Sequence, residues 1–198
     1  MRGVAFAATV AVALAALGGA ASARVTISVK QASYPVRGTT GAALLAQMDR
    51  HGPKHGLLTH AIAQTRYSVG WDIRFAAVNR GCRVEKSDAR LTITYTYPRI
   101  EGTVPKALRQ RWGTFMKGVI RHEEMHGAIA RQMVAAAERA VANVKLTNDP
   151  SCVRARGETK RRAEAVYAQY ERRQMLLDTR EHSTGGAVDR LISGLRGN

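Results

Sequence analysis

From Lys106 to Asp149 the chain contains no proline, and its apolar residues recur at helical spacing. Trp112, Phe115, Met116, Val119, Ile129, Met133 and Val134 fall on one face of such a helix, and His122 and His126 fall on the same face. An amphipathic helix of this length must bury its stripe against another layer, so it constrains the architecture more than any other segment. Thr103 is placed to cap it, and Pro105 falls in the first turn, where a missing N–H costs nothing. The pattern runs to about Val144 and Asn148-Asp149-Pro150 ends it. A second helix is predicted over Glu158–Leu177, and the Gly-containing tail from Ser183 reads as loosely ordered.

The layer beneath the long helix is written upstream. Tyr67, Val69, Trp71, Ile73 and Phe75 recur at a period of two, as do Leu91, Ile93, Tyr95 and Tyr97, with Thr92, Thr94 and Thr96 on the other face. Both read as half-buried strands, the second closed by Pro98. They are expected to pair, with Ala77–Ala89 as a connection too long for a tight hairpin. A short strand over Val25–Val29 is broken by Tyr34-Pro35 and Arg37-Gly38. Thr40–Arg50 has a short helical pattern, and His51-Gly52-Pro53-Lys54-His55-Gly56 reads as a loop. Strands first and helices later make an α+β chain. Its 198 residues, 45% of them hydrophobic, suffice for one domain with an ordinary core.

Within the long helix, Arg121-His122-Glu123-Glu124-Met125-His126 carries the chemistry. Two imidazoles four residues apart project from one helix face and can share a metal ion. That face points into the protein, where paired histidines without an ion would leave ring nitrogens short of partners. Glu123, one position on, can reach a zinc-bound water without ligating the ion and accept its proton as the water attacks a carbonyl. Glu124 has the wrong phase and is expected in solvent. The plainer alternative is a cluster of polar residues satisfied by one another. His51, His55 and His60 lie in a Gly/Pro loop and read as solvated.

The N-terminus has the anatomy of a secretory signal peptide: Met1-Arg2, an almost unbroken apolar run from Val4 to Leu17, then Gly18-Gly19 and Ala21-Ser22-Ala23. The run of about 14 residues falls short of the roughly 20 that span a bilayer. The expected organisation is therefore a leader over residues 1–23, cut after Ala23, and one domain over 24–198, periplasmic or secreted. In an oxidising compartment Cys82 and Cys152 are expected to form a disulfide. The formal charge of +16 falls by one when Arg2 leaves. Such a field favours anionic polymer or lipid surfaces. No basic motif interleaved with aromatics points to nucleic acid.

The chain resembles the predicted secreted zinc-dependent protease family of bacteria. The likeness rests on Tyr34-Pro35-Val36-Arg37-Gly38-Thr39, Gly52-Pro53, Trp71, Cys82, Trp112, His122-Glu123-Glu124-Met125-His126 and the late tract Asp178-Thr179-Arg180-Glu181-His182. Ser183 stands where the family's tract leads one to expect glycine. The resemblance implies a small zincin-like domain, a few-stranded antiparallel or mixed sheet packed on the HExxH helix with a second helix behind it. It implies a zinc cofactor and hydrolysis of a peptide or protein substrate, with Glu123 as general base. Two other readings use the same residues: a cell-wall amidase, and a non-catalytic basic envelope protein that binds anionic polymer with a structural zinc or none.

Two histidines need a third ligand. A metzincin extension would need Gly and His where Ile129 and Gln132 stand. Glu138 lies about 18 Å along the helix from His126, out of reach. Glu158, Glu164, Glu171 and Asp178 are possible ligands from later segments. His182 is preferred: no other histidine follows the motif, a returning helix could bring it back, and the resemblance points to its tract.

Overall fold

The computed structural model describes residues 22–55 and 59–197. In chain order these form β1 (Ser22–Val36), α1 (Gly41–His51), β2 (Lys54–His55), β3 (Thr59–His60), β4 (Gln64–Val78), β5 (Gly81–Ile100), α2 (Lys106–Ala142), β6 (Lys145–Leu146), α3 (Val153–His182) and α4 (Ala187–Arg196). The chain is α+β. Its main sheet is mixed: β1 runs parallel to β5 on one side, β4 antiparallel on the other, and β6 pairs with the start of β5. Positions 1–21 of the expected leader lie outside the described residues. β1 begins at Ser22, two residues before the expected mature N-terminus.

The period-two pattern sets the faces. Ala89, Leu91, Ile93, Tyr95 and Tyr97 of β5 are buried, and Tyr67, Val69 and Trp71 of β4 pack with them against Phe115, Val119, Met133 and Val134 of α2. The strands run further than their breakers suggested. β1 continues through Pro35 because it is an edge strand, where a missing N–H leaves no ladder bond unmade. β5 continues through Pro98 because the pairing of β4 with β5 stops at Thr96, so one side of β5 is free there.

The connection read as long is a two-residue turn. Val78 pairs with Gly81, and Asn79 and Arg80 take φ of 47° and 62°, the left-handed pair that a tight hairpin requires. A bulge at Arg74/Phe75 leaves Glu85 unpaired. It shifts the alternation by one, so Cys82 and Val84 reach the interior, and this hid the strand from a period-two reading. Of the 51–56 stretch, Gly56 lies outside the described residues, and Lys54–His55 is not a loop but pairs with Thr59–His60.

The helices end differently too. Thr40 caps α1 by accepting from the Ala43 N–H. Pro105, and not Thr103, occupies the cap position of α2. α3 starts five residues early because the Asp149 carboxylate accepts from the main-chain N–H groups of Arg154 and Ala155. The tail is ordered as α4. Val188, Leu191, Ile192 and Leu195 recur at helical spacing, and Leu195 is fully buried. A Cβ at Gly118 of α2 would strike Leu191, and one at Gly41 the Leu195 carbonyl, so both glycines let α4 approach. Cys82 and Cys152 form the expected disulfide within a second small core of Val84, Val141, Val144 and Ala155.

Candidate metal centre

α2 meets the sheet closely at Gly127, where a Cβ would collide with the Tyr95 hydroxyl. That approach sets the height of the turn before it. His122 and Glu123 are buried, and Glu124 is exposed, as its phase predicted. The Thr65 hydroxyl of β4 donates to Glu123 Oε2 at 2.6 Å and lies 3.1 Å from the Glu123 carbonyl oxygen. Burial pushes the Glu123 carboxyl above its ordinary range, against the pull of Thr65 and the two histidines.

α3 returns past this turn and supplies the other half of the site. His126 Nε2 lies 3.2 Å from His122 Nε2 and 2.9 Å from Asp178 Oδ1, and His122 Nε2 lies 3.4 Å from the same carboxylate oxygen. Asp178 and His182 are themselves four apart, so each helix presents one i, i+4 pair. The His182 ring is centred 5.3 Å from that of His122, and donor atoms of His122, Asp178 and His182 all lie within 4.8 Å of one another. Asp178 makes the close contacts with both histidines, and the expected ligand His182 stands beside it.

Proton bookkeeping tests whether these residues fit a cation. Gln174 Nε2 donates to the His126 carbonyl at 3.2 Å, which turns its Oε1 toward His126 Nδ1 at 2.5 Å. Nδ1 therefore carries the proton, and in the neutral ring Nε2 offers a lone pair toward Asp178 and His122. His122 Nδ1 is buried with no hydrogen-bond partner among the described residues, while its Nε2 faces Asp178 and His126. His122 Nε2, His126 Nε2 and Asp178 Oδ1, three atoms of ligand type, lie 2.9–3.4 Å from one another. Ligand atoms around a tetrahedral zinc with bonds near 2.0–2.1 Å are separated by about 3.3 Å. The donor set fits zinc.

The group forms part of the wall of a cleft of about 570 Å³. Its lining includes the polar Thr65, Tyr67, Glu171 and Gln174 and the aliphatic Ile62, Val119, Val188 and Ile192. Tyr67 donates to Glu171 at 2.6 Å, and burial, then this carboxylate, raise its pKa. Of the alternative ligands, Glu158 is taken up by Arg161 and Arg162, and Glu164 faces Lys160, 3.7 Å away. Glu138 is far along α2, accepting from Ser87 at 2.9 Å. His60 lines the cleft rather than a solvated loop, and His51 is exposed. Sequence reasoning missed Thr65, Gln174 and the pairing of Asp178 with His126. The i, i+4 spacing of Gln174, Asp178 and His182 was the available signal, hidden because the helix was ended at Leu177.

A family model described as bacterial protein of unknown function (DUF922) matches residues 31–186, and the chain belongs to that family. The match spans both helices of the site. No curated protein and no solved structure matches the chain.

Proposed function

We propose that this family member is a zincin-like, zinc-dependent peptidase. The observation that carries the reading is the convergence of His122, His126 and Asp178 on one point, beside a buried glutamate and open to a cleft. His122, His126 and Asp178 would hold the ion, with His182 offering a further donor from the next turn of α3. Zinc bound there would supply a Lewis acid and make water more acidic.

The rest of the chemistry belongs to the chain. Thr65 fixes the Glu123 carboxylate by its 2.6 Å hydrogen bond, which leaves the other oxygen to take a proton from an attacking water and return it to the departing amine. Gln174 fixes the His126 ring and its tautomer. Among the described cleft residues Tyr67 carries the hydroxyl besides that of Thr65, and it would meet a carbonyl oxygen gaining charge by turning its one proton away from Glu171. The aliphatic residues of the lining offer a surface for an apolar side chain of the substrate. The Cys82–Cys152 disulfide supports a place of action in an oxidising compartment, periplasmic or secreted.

Metal analysis of the chain from Arg24 onward tests the reading first. About one zinc per chain is expected after equilibration with the ion. Cleavage of a mixed peptide library should stop on chelation and resume when zinc is restored. A chain that takes up no zinc, or that cleaves equally well with chelator present, would overturn the proposal.

A further inference from the structure

The sheet has a second face, and its composition is unlike the first. α2 and α3 pack on odd-numbered side chains: Leu91 and Ile93 lie in the core, and Tyr67 and Trp71 hydrogen-bond to α3. Over residues 24–30 of β1, 66–74 of β4 and 86–94 of β5, the even-numbered side chains point the other way and are exposed or half-buried; beyond that stretch Val36, Cys82, Val84 and Pro98 are buried. The strand registers align them in rows across the three strands. Thr26, Arg90 and Gly70 share one row, Ser28, Thr92 and Ser68 the next, and Lys30, Thr94 and Arg66 the one after. Arg24 and Arg74 flank the same surface at its lower end.

Charge and chemistry both select a partner. The two acids of this face, Asp72 and Asp88, are already held by Lys86 at 2.6 and 2.9 Å. The remaining cations make no ion pair among the described residues. Arg90 and the Lys30/Arg66 row stand two rows apart, about 13 Å along the strands, and the interval is filled by hydroxyls. A Cβ on Gly70 would meet nothing within 4 Å, so the β4 end of the Arg90 row is open. These rows carry no large apolar side chain to enter a bilayer and no aromatic ring to stack on a base or anchor a protein partner. Exposed Ile27 and Val29 belong to the opposite face. We propose that the even-numbered face of the sheet binds a linear anionic polysaccharide, its cations meeting the acidic groups and its hydroxyl rows the sugar hydroxyls.

The proposal is independent of the metal site and is tested without it. Binding of a labelled linear polyuronate to the chain from Arg24 onward would be measured at near-physiological salt. Neutral dextran, anionic phospholipid vesicles and single-stranded oligothymidine serve as comparisons. The triple variant Lys30→Glu/Arg66→Glu/Arg90→Glu should weaken polyuronate binding by roughly tenfold or more. A triple of equal charge on α3, Lys160→Glu/Arg172→Glu/Arg173→Glu, should change it by less than about threefold. The glutamine versions of the sheet positions, milder for folding, should fall between. Equal losses from the two triples would reduce the effect to net charge and overturn the proposal. So would unchanged binding by the sheet triple, or tighter binding of vesicles or oligothymidine than of polyuronate by the unmodified face.

Discussion

Glu123 and Asp178 carry the same functional group in opposite company. Glu123 is buried, hydrogen-bonded by Thr65, and shares no close contact with the histidine nitrogens; Asp178 lies within 3.4 Å of both. Their substitutions should therefore separate chemistry from binding. Glu123→Gln should keep its zinc while hydrolysis falls by about 10²–10⁴, and loss of the metal would make Glu123 a ligand or a structural group. Asp178→Ala should lower zinc affinity by more than the roughly 10–100-fold typical of an outer partner. Gln174→Ala should fall inside that range, and His182→Ala should weaken zinc and activity together. Full zinc occupancy of His182→Ala under mild chelator competition would remove His182 from the ligand set. The histidines and Glu123 were legible because helical phase fixes their direction from spacing alone. Asp178 was named only as one of several alternative ligands, and Gln174 and Thr65 were missed, because which turn of α3 and which residue of β4 face α2 depends on the path of the chain between them.

At the scale of elements, the sequence spoke clearly wherever one face is apolar and the other polar. α1, α2 and the middle of β4 and β5 follow from periodicity. It failed where a local device changes the phase or the boundary: the bulge opposite Glu85, the left-handed Asn79-Arg80 turn, and the Asp149 cap that starts α3 early. α4 is the instructive miss. Glycines at 185, 186 and 194 suggested a loose tail, yet Val188, Leu191, Ile192 and Leu195 form a complete stripe that closes the core beside Gly41 and Gly118. Leu195 has no exposed surface, so Leu195→Ala should destabilise the fold by about 2–5 kcal/mol. Urea unfolding reads this as a lower midpoint at constant slope. A change under about 0.5 kcal/mol, the scale of a surface substitution, would mean that α4 docks weakly and does not contribute to the core.

Across the whole molecule, α3 is a long, polar and lightly buried helix. Only Ala155, Thr159, Gln174 and Leu177 of its 30 residues are buried, far too few to anchor so long a polar helix by apolar burial alone. Specific ties do the rest. The Cys82–Cys152 disulfide fixes its start to β5, Trp71 and Tyr67 hydrogen-bond to Tyr167 and Glu171 in its middle, and Asp178 meets the histidines near its end. The bridge closes a separation of 70 residues, worth about 4 kcal/mol in the chain-entropy account. Zinc, if it binds the folded site alone, adds stability that grows with its concentration over Kd. The Cys82→Ser/Cys152→Ser variant should thus lose about 4 kcal/mol of global stability while still binding zinc, since the donors lie at the far end of α3. Chelation should act at that far end. Hydrogen exchange of α3 amides from Gln174 to His182 should quicken on chelator addition, with those of α2 around Phe115 and Val134 unchanged. Uniform quickening of α2 and α3 together would mean that the ion governs global unfolding and not the docking of one helix. No change in either would mean that Asp178 and His182 do not depend on a metal for their place.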